Sequence, residues 1–426
     1  MRASSTLSAT AAAAVRGTAS ARDAVAEDAV DGVLPALVAS PESTAQTREV
    51  LRASAAHGLA VVPRGQGTKL TWGTPPTRVD VVLDVSRMNR IVDHAAGDLI
   101  AVTEAGARLA DLQQALAPAG QRLAVDETVA GASIGGTIAT AASGPARLLA
   151  GTMRDLLIGV TIVRADGVIA KAGGRVVKNV AGYDLGKLIT GSYGTLGVVT
   201  EAIVRLHPRP AARRVVTATV DHPVQAHRLV QAIVHAQVVP SAVEIDWPAT
   251  GAGVLAVLLE GTPASVDSRA VTTIGLLGGS GAATEDVPKW WSAYPWELGE
   301  TGLKLTFVLT GLQSVLARVR ESGESEGLGV AVRGSAGAGV LYAAIRPSAS
   351  GADPHHLASA VRSVVDRLRT TCAEFGGSVV VVDAPAEVKR AVDVWGPVPA
   401  IDLMCRVKDQ FDPSHRMSPG RFVGGI

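Results

Sequence analysis

GASIGGTIATAASG (131–144), GTMRD (151–155) and KNVAGYDLGKLITGSYGTLGVVTEAIVRLHP (178–208) make one glycine-dense stretch in the first half of a 426-residue chain. It is neither repetitive nor of low complexity, because the glycines alternate with β-branched and apolar residues. That pattern reads as strands and short helices whose backbones approach a ligand closely. Glycine lets N–H groups reach anionic oxygens with no Cβ in the way, so a bulky anionic cofactor fits. Asp184 reads as the N-cap of a short helix over 185–190, with Gly191 as its left-handed stop. VVTEAIVRL, from Val198, reads as a strand.

Working outward, Pro63-Arg64-Gly65-Gln66-Gly67-Thr68 follows the apolar run LAVVP. Backbone N–H groups in such a loop form either an ordinary turn or a nest for phosphate oxygens. The second glycine-rich stretch downstream favours the nest. Upstream, Ser40, Pro41 and Gly58 read as N-cap, first residue and stop of a helix. ARLADLQQALAPAG reads as an amphipathic helix with Leu109, Leu112 and Leu116 on one face. Residues 1–28, rich in Ala, Ser and Thr, read as a flexible leader, disordered or helical, with no secretion signal. HPRP at 207–210 reads as a linker. Beyond it, strands such as LKLTFVL, VLYAAIRP and SVVVVDAP accompany a long helix. That helix is expected to be capped by Asp353, begun by Pro354 and stopped by Gly376, with Leu357, Val361, Val364, Leu368 and Cys372 on one face.

Forty basic and 39 acidic residues give a net charge of +1, which leaves no electrostatic footprint for nucleic acid. Cys372 and Cys405 form no CxxC pair, so this chain alone ligates no iron–sulfur cluster. Two cysteines suit a reducing cytoplasm. No apolar run reaches the length of a membrane span. GKL at 186–188 lacks phosphate-loop spacing, and GGSGAAT at 278 lacks the third glycine of a dinucleotide fingerprint. A metal site is not expected.

GTMRDLLIGV, KNVAGYDL and GSYGTLGVVTEA resemble the flavin-binding domain of the vanillyl-alcohol oxidase/p-cresol methylhydroxylase superfamily, and within it the glycolate oxidase branch. The resemblance covers roughly residues 31–210 plus the C-terminal tail. It implies an α+β chain with a two-part FAD-binding domain of the p-cresol methylhydroxylase type over 29–210. A smaller α+β cap would span 211–400, and a C-terminal segment, 401–426, would return to the flavin domain. Where the family commonly has Asn before Pro-Gly, this chain has Ser418, Pro419 and Gly420, so an amide role is lost or passes to a hydroxyl.

The resemblance implies that FAD is held by Pro63, Arg64, Gly65, Gln66, Gly67 and Thr68, then by Gly131, Gly135, Gly136, Thr137, Ala139, Ser143 and Gly144. Arg154 and Asp155 would offset phosphate charge and orient a loop; Gly182, Tyr183, Asp184, Gly194, Gly197, Val198 and Val199 would complete the wall. Thr68 and small residues stand where relatives place a flavin-linking histidine, so FAD is expected to be non-covalent. The cap lacks the Gly-Glu-His-Gly-type motif of enzymes that oxidise 2-hydroxy acids, and no catalytic base is identifiable. The implied function is the smaller FAD-binding subunit of a glycolate oxidase complex, beside a larger flavin subunit and an iron–sulfur subunit. It would be cytoplasmic, or peripheral at the inner membrane face through those partners. A stand-alone hydroxy-acid or alcohol dehydrogenase, or a non-catalytic assembly subunit, are the alternatives. Trp290, Trp291 and Trp296 suggest either a partner surface or packing under the cap.

Overall fold

The three strands Leu37–Ser40, Val61–Arg64 and Val81–Asp84 run parallel, and their valines and leucines are buried almost completely. Strands covered on both faces read as continuous apolar runs, which LAVVP and VDVVLDV are. They belong to a computed structural model that describes residues 7–176, 184–279, 281–347 and 354–426. The chain divides into two compact units. One comprises Met1–Ser143, Thr152–Arg209 and Pro397–Ile426; the other comprises Gly144–Gly151 and Pro210–Gly396.

In the first unit, the parallel strands are edged by an antiparallel strand, Ser20–Asp23, which pairs with Leu37–Ser40. That edge lies in the stretch expected as a flexible leader, of which residues 7–28 are described. Ala9–Arg16 is a helix capped by the Ser8 hydroxyl, with Ala11 and Val15 buried. Asp28 is buried too, bonded to Arg22 and Arg64. The helix expected from Ser40 instead covers Thr44–Ala56 and is capped by Ser43, whose hydroxyl accepts from the Gln46 N–H. Ser40 is taken by the strand Leu37–Ser40, which pairs with Ser20–Asp23, so the helix cannot start there.

A second, antiparallel sheet of the same unit has Val198–Arg205 at its centre, between Ile100–Glu104 and Leu157–Val163. Ile91–Ala95 and Ile169–Gly173 form its edges. The tail is tied to this unit by backbone and charge. Residues Arg416 to Ser418 extend the parallel sheet, exchanging N–H···O bonds with Val61. Lys408 is fully buried, and its ammonium donates to Thr195 O, Asp412 Oδ2 and Met417 O at 2.7–2.9 Å. A buried ammonium is tolerable only with that degree of satisfaction. Ser418 donates its hydroxyl to Gly194 O at 3.3 Å.

The second unit is built on an antiparallel eight-stranded sheet. Its strand order is Ala282–Thr284, Ala212–Val220, Gly253–Gly261, Ala242–Trp247, Leu328–Ser335, Val340–Pro347, Thr301–Thr306 and Ser378–Asp383. Alternate residues such as Ile245, Leu255, Val257, Leu303, Leu305 and Leu341 join one hydrophobic core. The helices Pro223–His235, Pro263–Leu276, Leu312–Ser325 and Pro354–Glu374 bury their apolar stripes in that core through Leu229, Val266, Val315 and Val364. Val361, Leu368 and Cys372 are buried as the periodicity predicts, and burial pushes the Cys372 thiol up to about 12. Its expected cap, Asp353, lies outside the described residues. Because side chains alternate along a strand, the opposite set of residues points away from the helices.

Candidate functional site

The strand Val61–Arg64 ends in Gly65-Gln66-Gly67-Thr68-Lys69, and this loop forms one wall of a cleft of about 570 Å³ in the first unit. Pro63, Arg64, Gly65, Gln66, Gly67, Thr68, Gly136, Ala139 and Gly194 of the expected residues line it. Gly67 needs to be glycine because its φ is +76°, a left-handed conformation that turns the chain back on itself. Gly65 is glycine for a different reason. A Cβ there would stand 2.2 Å from the Ser133 hydroxyl oxygen, so the loop is packed directly on that residue.

The donor inventory of the cleft distinguishes its two glycine-rich walls. Ser133 caps the helix Ile134–Thr140. Every N–H at the start of that helix is already used: Ile134 donates to Ala107 O, Gly135 to Ala105 O, Gly136 to Ser133 Oγ and Thr137 to Ser133 O. By contrast, the N–H groups of Gly65, Gln66, Gly67, Thr68 and Lys69 have no acceptor among the described residues. Successive unpaired N–H groups in a tight loop are a nest for an anion.

Charge around the loop has a clear division. The Arg64 guanidinium is committed to Asp28 at 2.9 Å and Asp84 at 2.6 Å, so it braces the loop and does not face a ligand. Asp28 is held well below the usual carboxylate range, mainly by its hydrogen bond from Arg22, against the opposing effect of burial. Lys69 and Arg421 are the other cations lining the cleft, and Arg421 donates to Trp72 O at 2.6 Å. Lys69 is only 8% exposed, and among the described residues its ammonium has one hydrogen bond, to the Thr68 hydroxyl at 3.3 Å. Burial lowers its pKa to about 8, and Glu127 opposes that shift from a distance. The sequence reading missed Lys69, because nothing local signals that a lysine after Thr68 is buried. It also missed Leu70, Ser133, Thr140, Tyr193 and Arg421, which complete the lining.

The other expected residues that are described do not line this cleft. Gly135 packs on Ala105, and Thr137 bonds back to Ser133 O. Gly131 turns at φ +76° with its N–H on Glu127. Asp155 closes a capping box with Thr152, whose N–H lowers its pKa, and exposed Arg154 donates to Lys187 O. Asp184 caps the helix Leu185–Ile189, and Gly191 follows at φ +83°. Gly197, Val198 and Val199 are buried against Val163 and Ile162. Ser143 ends a segment of the first unit and Gly144 opens one of the second. Gly182 and Tyr183 lie outside the described residues. No His, Cys, Asp or Glu cluster with metal-binding geometry occurs among the described residues. None of the described helices is long and apolar enough to cross a membrane.

Residues 35–173 match the FAD binding domain family, a range that contains the nest, Ser133 and the helix behind it. FAD is the cofactor of this chain. Glycolate oxidase subunit GlcD of Bacillus subtilis is 36% identical over 217 residues, 50% of this chain and 46% of that protein. Glycolate oxidase subunit GlcE of Escherichia coli is 38% identical over 154 residues, 36% of this chain and 43% of that one. A mitochondrial D-lactate dehydrogenase [cytochrome] of Saccharomyces cerevisiae is 37% identical over 190 residues, 44% of this chain and 32% of that one. The matches therefore span less than half the length of each relative. Among solved structures, alkyldihydroxyacetonephosphate synthase superposes with a TM-score of 0.69 over 92% of this chain and 77% of that one. At 17% identity that likeness concerns the fold.

Proposed function

We propose that the chain is an FAD-dependent 2-hydroxy-acid oxidoreductase, working as an FAD-binding subunit of a glycolate oxidase complex that hands electrons to an iron–sulfur subunit. The observation that carries the cofactor part is the run of five unpaired N–H groups at Gly65–Lys69 beside a buried ammonium with no carboxylate in contact. That donor set fits a pyrophosphate: the N–H groups would hold its oxygens, and Lys69 would balance its charge. Gly136, Ala139 and Gly194 would let the cofactor lie against backbone. Among the described residues no histidine or cysteine lines the cleft, which supports non-covalent binding. Bound FAD would supply the two-electron acceptor for oxidation of an alcohol carbon.

The names of the relatives support 2-hydroxy acids as the substrate class, glycolate and D-lactate among them. The subunit reading is favoured by the cysteine count: two free thiols, Cys372 and Cys405, are too few to ligate an iron–sulfur cluster. Electrons bound for a one-electron acceptor would need a relay in another chain. The test is to purify a tagged chain alone and with whatever accompanies it. The isolated chain is expected to be yellow, to release its flavin on acid precipitation, and to keep its colour when glycolate is added without oxygen. The assembled complex is expected to bleach. Rapid bleaching of the isolated chain would overturn the subunit reading in favour of a stand-alone dehydrogenase.

A further inference from the structure

RLHPRP (205–210) contains the segment read as a linker, and none of its residues lines the flavin cleft. It continues the central strand of the antiparallel sheet of the first unit. Burial alternates along it: Val204 and Leu206 are buried, Arg205 is exposed and His207 is half-buried. Proline disfavours the helical region for the residue before it, so Pro208 and Pro210 hold His207 and Arg209 extended. Alternate residues of an extended chain share a face, and Arg205, His207 and Arg209 therefore project together. Successive members of that row are about 7 Å apart.

The chain that carries the row is braced. His207–Pro208 pairs antiparallel with Gln121–Arg122, which sets Arg122 across from His207 on the same face. The Leu206 N–H donates to Leu99 O and the Arg209 N–H to Gly120 O, both at 2.7 Å. Gln121 donates to Ala96 O at 2.7 Å, and its amide oxygen accepts from His94 at 2.9 Å. Like charges facing each other across a ladder repel, and this ribbon holds three arginines around a histidine. His207 reports the result. Its pKa is lowered by burial first and then by Arg205 and Arg122, with no carboxylate among the groups acting on it. Arg122 has a contact of its own and adds its charge. Exposed Arg205 and Arg209 form no ion pair or side-chain hydrogen bond among the described residues. Asp98, in the turn beside the ribbon, pairs with neither. Over the whole chain 40 basic residues meet 39 acidic ones, so the imbalance is local.

We infer that this ribbon is a docking surface for a carboxylate-rich segment of a partner protein, whose acidic side chains pair with Arg205 and Arg209. A guanidinium takes a carboxylate through two parallel hydrogen bonds. The two prolines fix the backbone beneath these arginines, so little freedom is lost when a partner engages them. Opposite charge across an interface selects the partner and speeds encounter. A net charge of +1 does not suit nucleic acid, and two free cations are too few to hold a membrane surface. The inference rests on the subunit reading for the existence of a partner, and adds the chemistry of the face that meets it.

The experiment titrates a short oligoglutamate peptide carrying a red dye with full-length, FAD-loaded protein, read by fluorescence anisotropy. Binding is expected at low ionic strength and should weaken at least about tenfold in about 150 mM salt, where charges are screened over about 8 Å. The double variant Arg205→Glu/Arg209→Glu should bind at least about tenfold more weakly than wild type. Both side chains are exposed, so its melting temperature and flavin absorbance should match wild type. Arg52→Glu/Arg362→Glu changes net charge equally at two other exposed arginines, and should leave affinity within about twofold. Inorganic phosphate should not displace the peptide, and vesicles of anionic phospholipid should not retain the protein. Absence of peptide binding overturns the inference, as does equal loss in the two double variants, displacement by phosphate, or retention on vesicles. A tagged Arg205→Glu/Arg209→Glu chain that still purifies with the companions of wild type overturns it too. A wild-type chain that purifies with no companion counts against the subunit reading, and the peptide titration decides the inference separately.

Discussion

If Lys69 balances the charge of the FAD pyrophosphate, flavin affinity must fall as pH rises through about 8. The perturbation is pH itself, with Lys69→Gln as the control. In the empty protein burial holds this lysine at about 8, below its ordinary 10.5. Between those values the folded empty protein has released a proton that the unfolded chain still holds. Stability of the empty protein from this group therefore rises with pH across that window. FAD binding runs the other way, because it requires the ammonium. If the phosphates return the lysine to its ordinary pKa, the linkage factor from about pH 7 to about pH 9.5 is about 30-fold in Kd. The assay is titration of FAD into flavin-free protein, followed by quenching of flavin fluorescence at each pH. Lys69→Gln should bind weakly at all pH values, near the high-pH limit of wild type, with a flat profile. A wild-type profile that is flat, or one that Lys69→Gln reproduces, refutes the assignment of Lys69 to the phosphates.

Gly67→Ala puts its methyl at ordinary contact with Arg64 Cδ and Leu70 Cδ1, 3.7 and 3.8 Å away, but at φ +76°, so it should cost about 1–2 kcal/mol and lower FAD occupancy while the flavin-free fold persists, as followed by circular dichroism and absorbance. Gly65→Ala drives a Cβ into Ser133, and should lower both stability and occupancy; full flavin in Gly67→Ala would mean that the loop is only a turn. Lys408→Met removes three buried hydrogen bonds and strands Asp412 in the core, which should cost about 3–5 kcal/mol in denaturant unfolding of the first unit. A loss below about 1 kcal/mol would show that the C-terminal tail is held by its backbone pairing with Val61 alone.

Local chemistry in the chain is enough to locate several elements. Asp184 and Gly191 bracket a helix because cap geometry depends on neighbouring residues only. Leu109, Leu112 and Leu116 mark a buried stripe, and VVTEAIVRL a central strand, because periodicity follows from the backbone repeat. The sequence PRGQGT marks a tight loop for the same reason: a left-handed φ at Gly67 is a local requirement. The Ala-rich leader reads as either disordered or helical, because such a sequence becomes an ordered helix only when something covers Ala11 and Val15.

What tertiary structure alone decided is which polar groups have partners. Ser40 lost its helix to Ser43 because the strand Leu37–Ser40 pairs with Ser20–Asp23, a contact made across the chain. The N–H groups of the helix at Ile134 were spent on Ala105 and Ala107, and those at Gly65–Lys69 were left open, though both stretches read alike as glycine-rich. Lys408 met Thr195 across 213 residues of chain. Lys304 came beside Tyr342 through strand register, and no spacing in the sequence encodes register between strands joined through distant loops. Hydrophobic periodicity is written residue by residue, whereas a charge's burial and its lack of a counter-ion depend on every element folded around it.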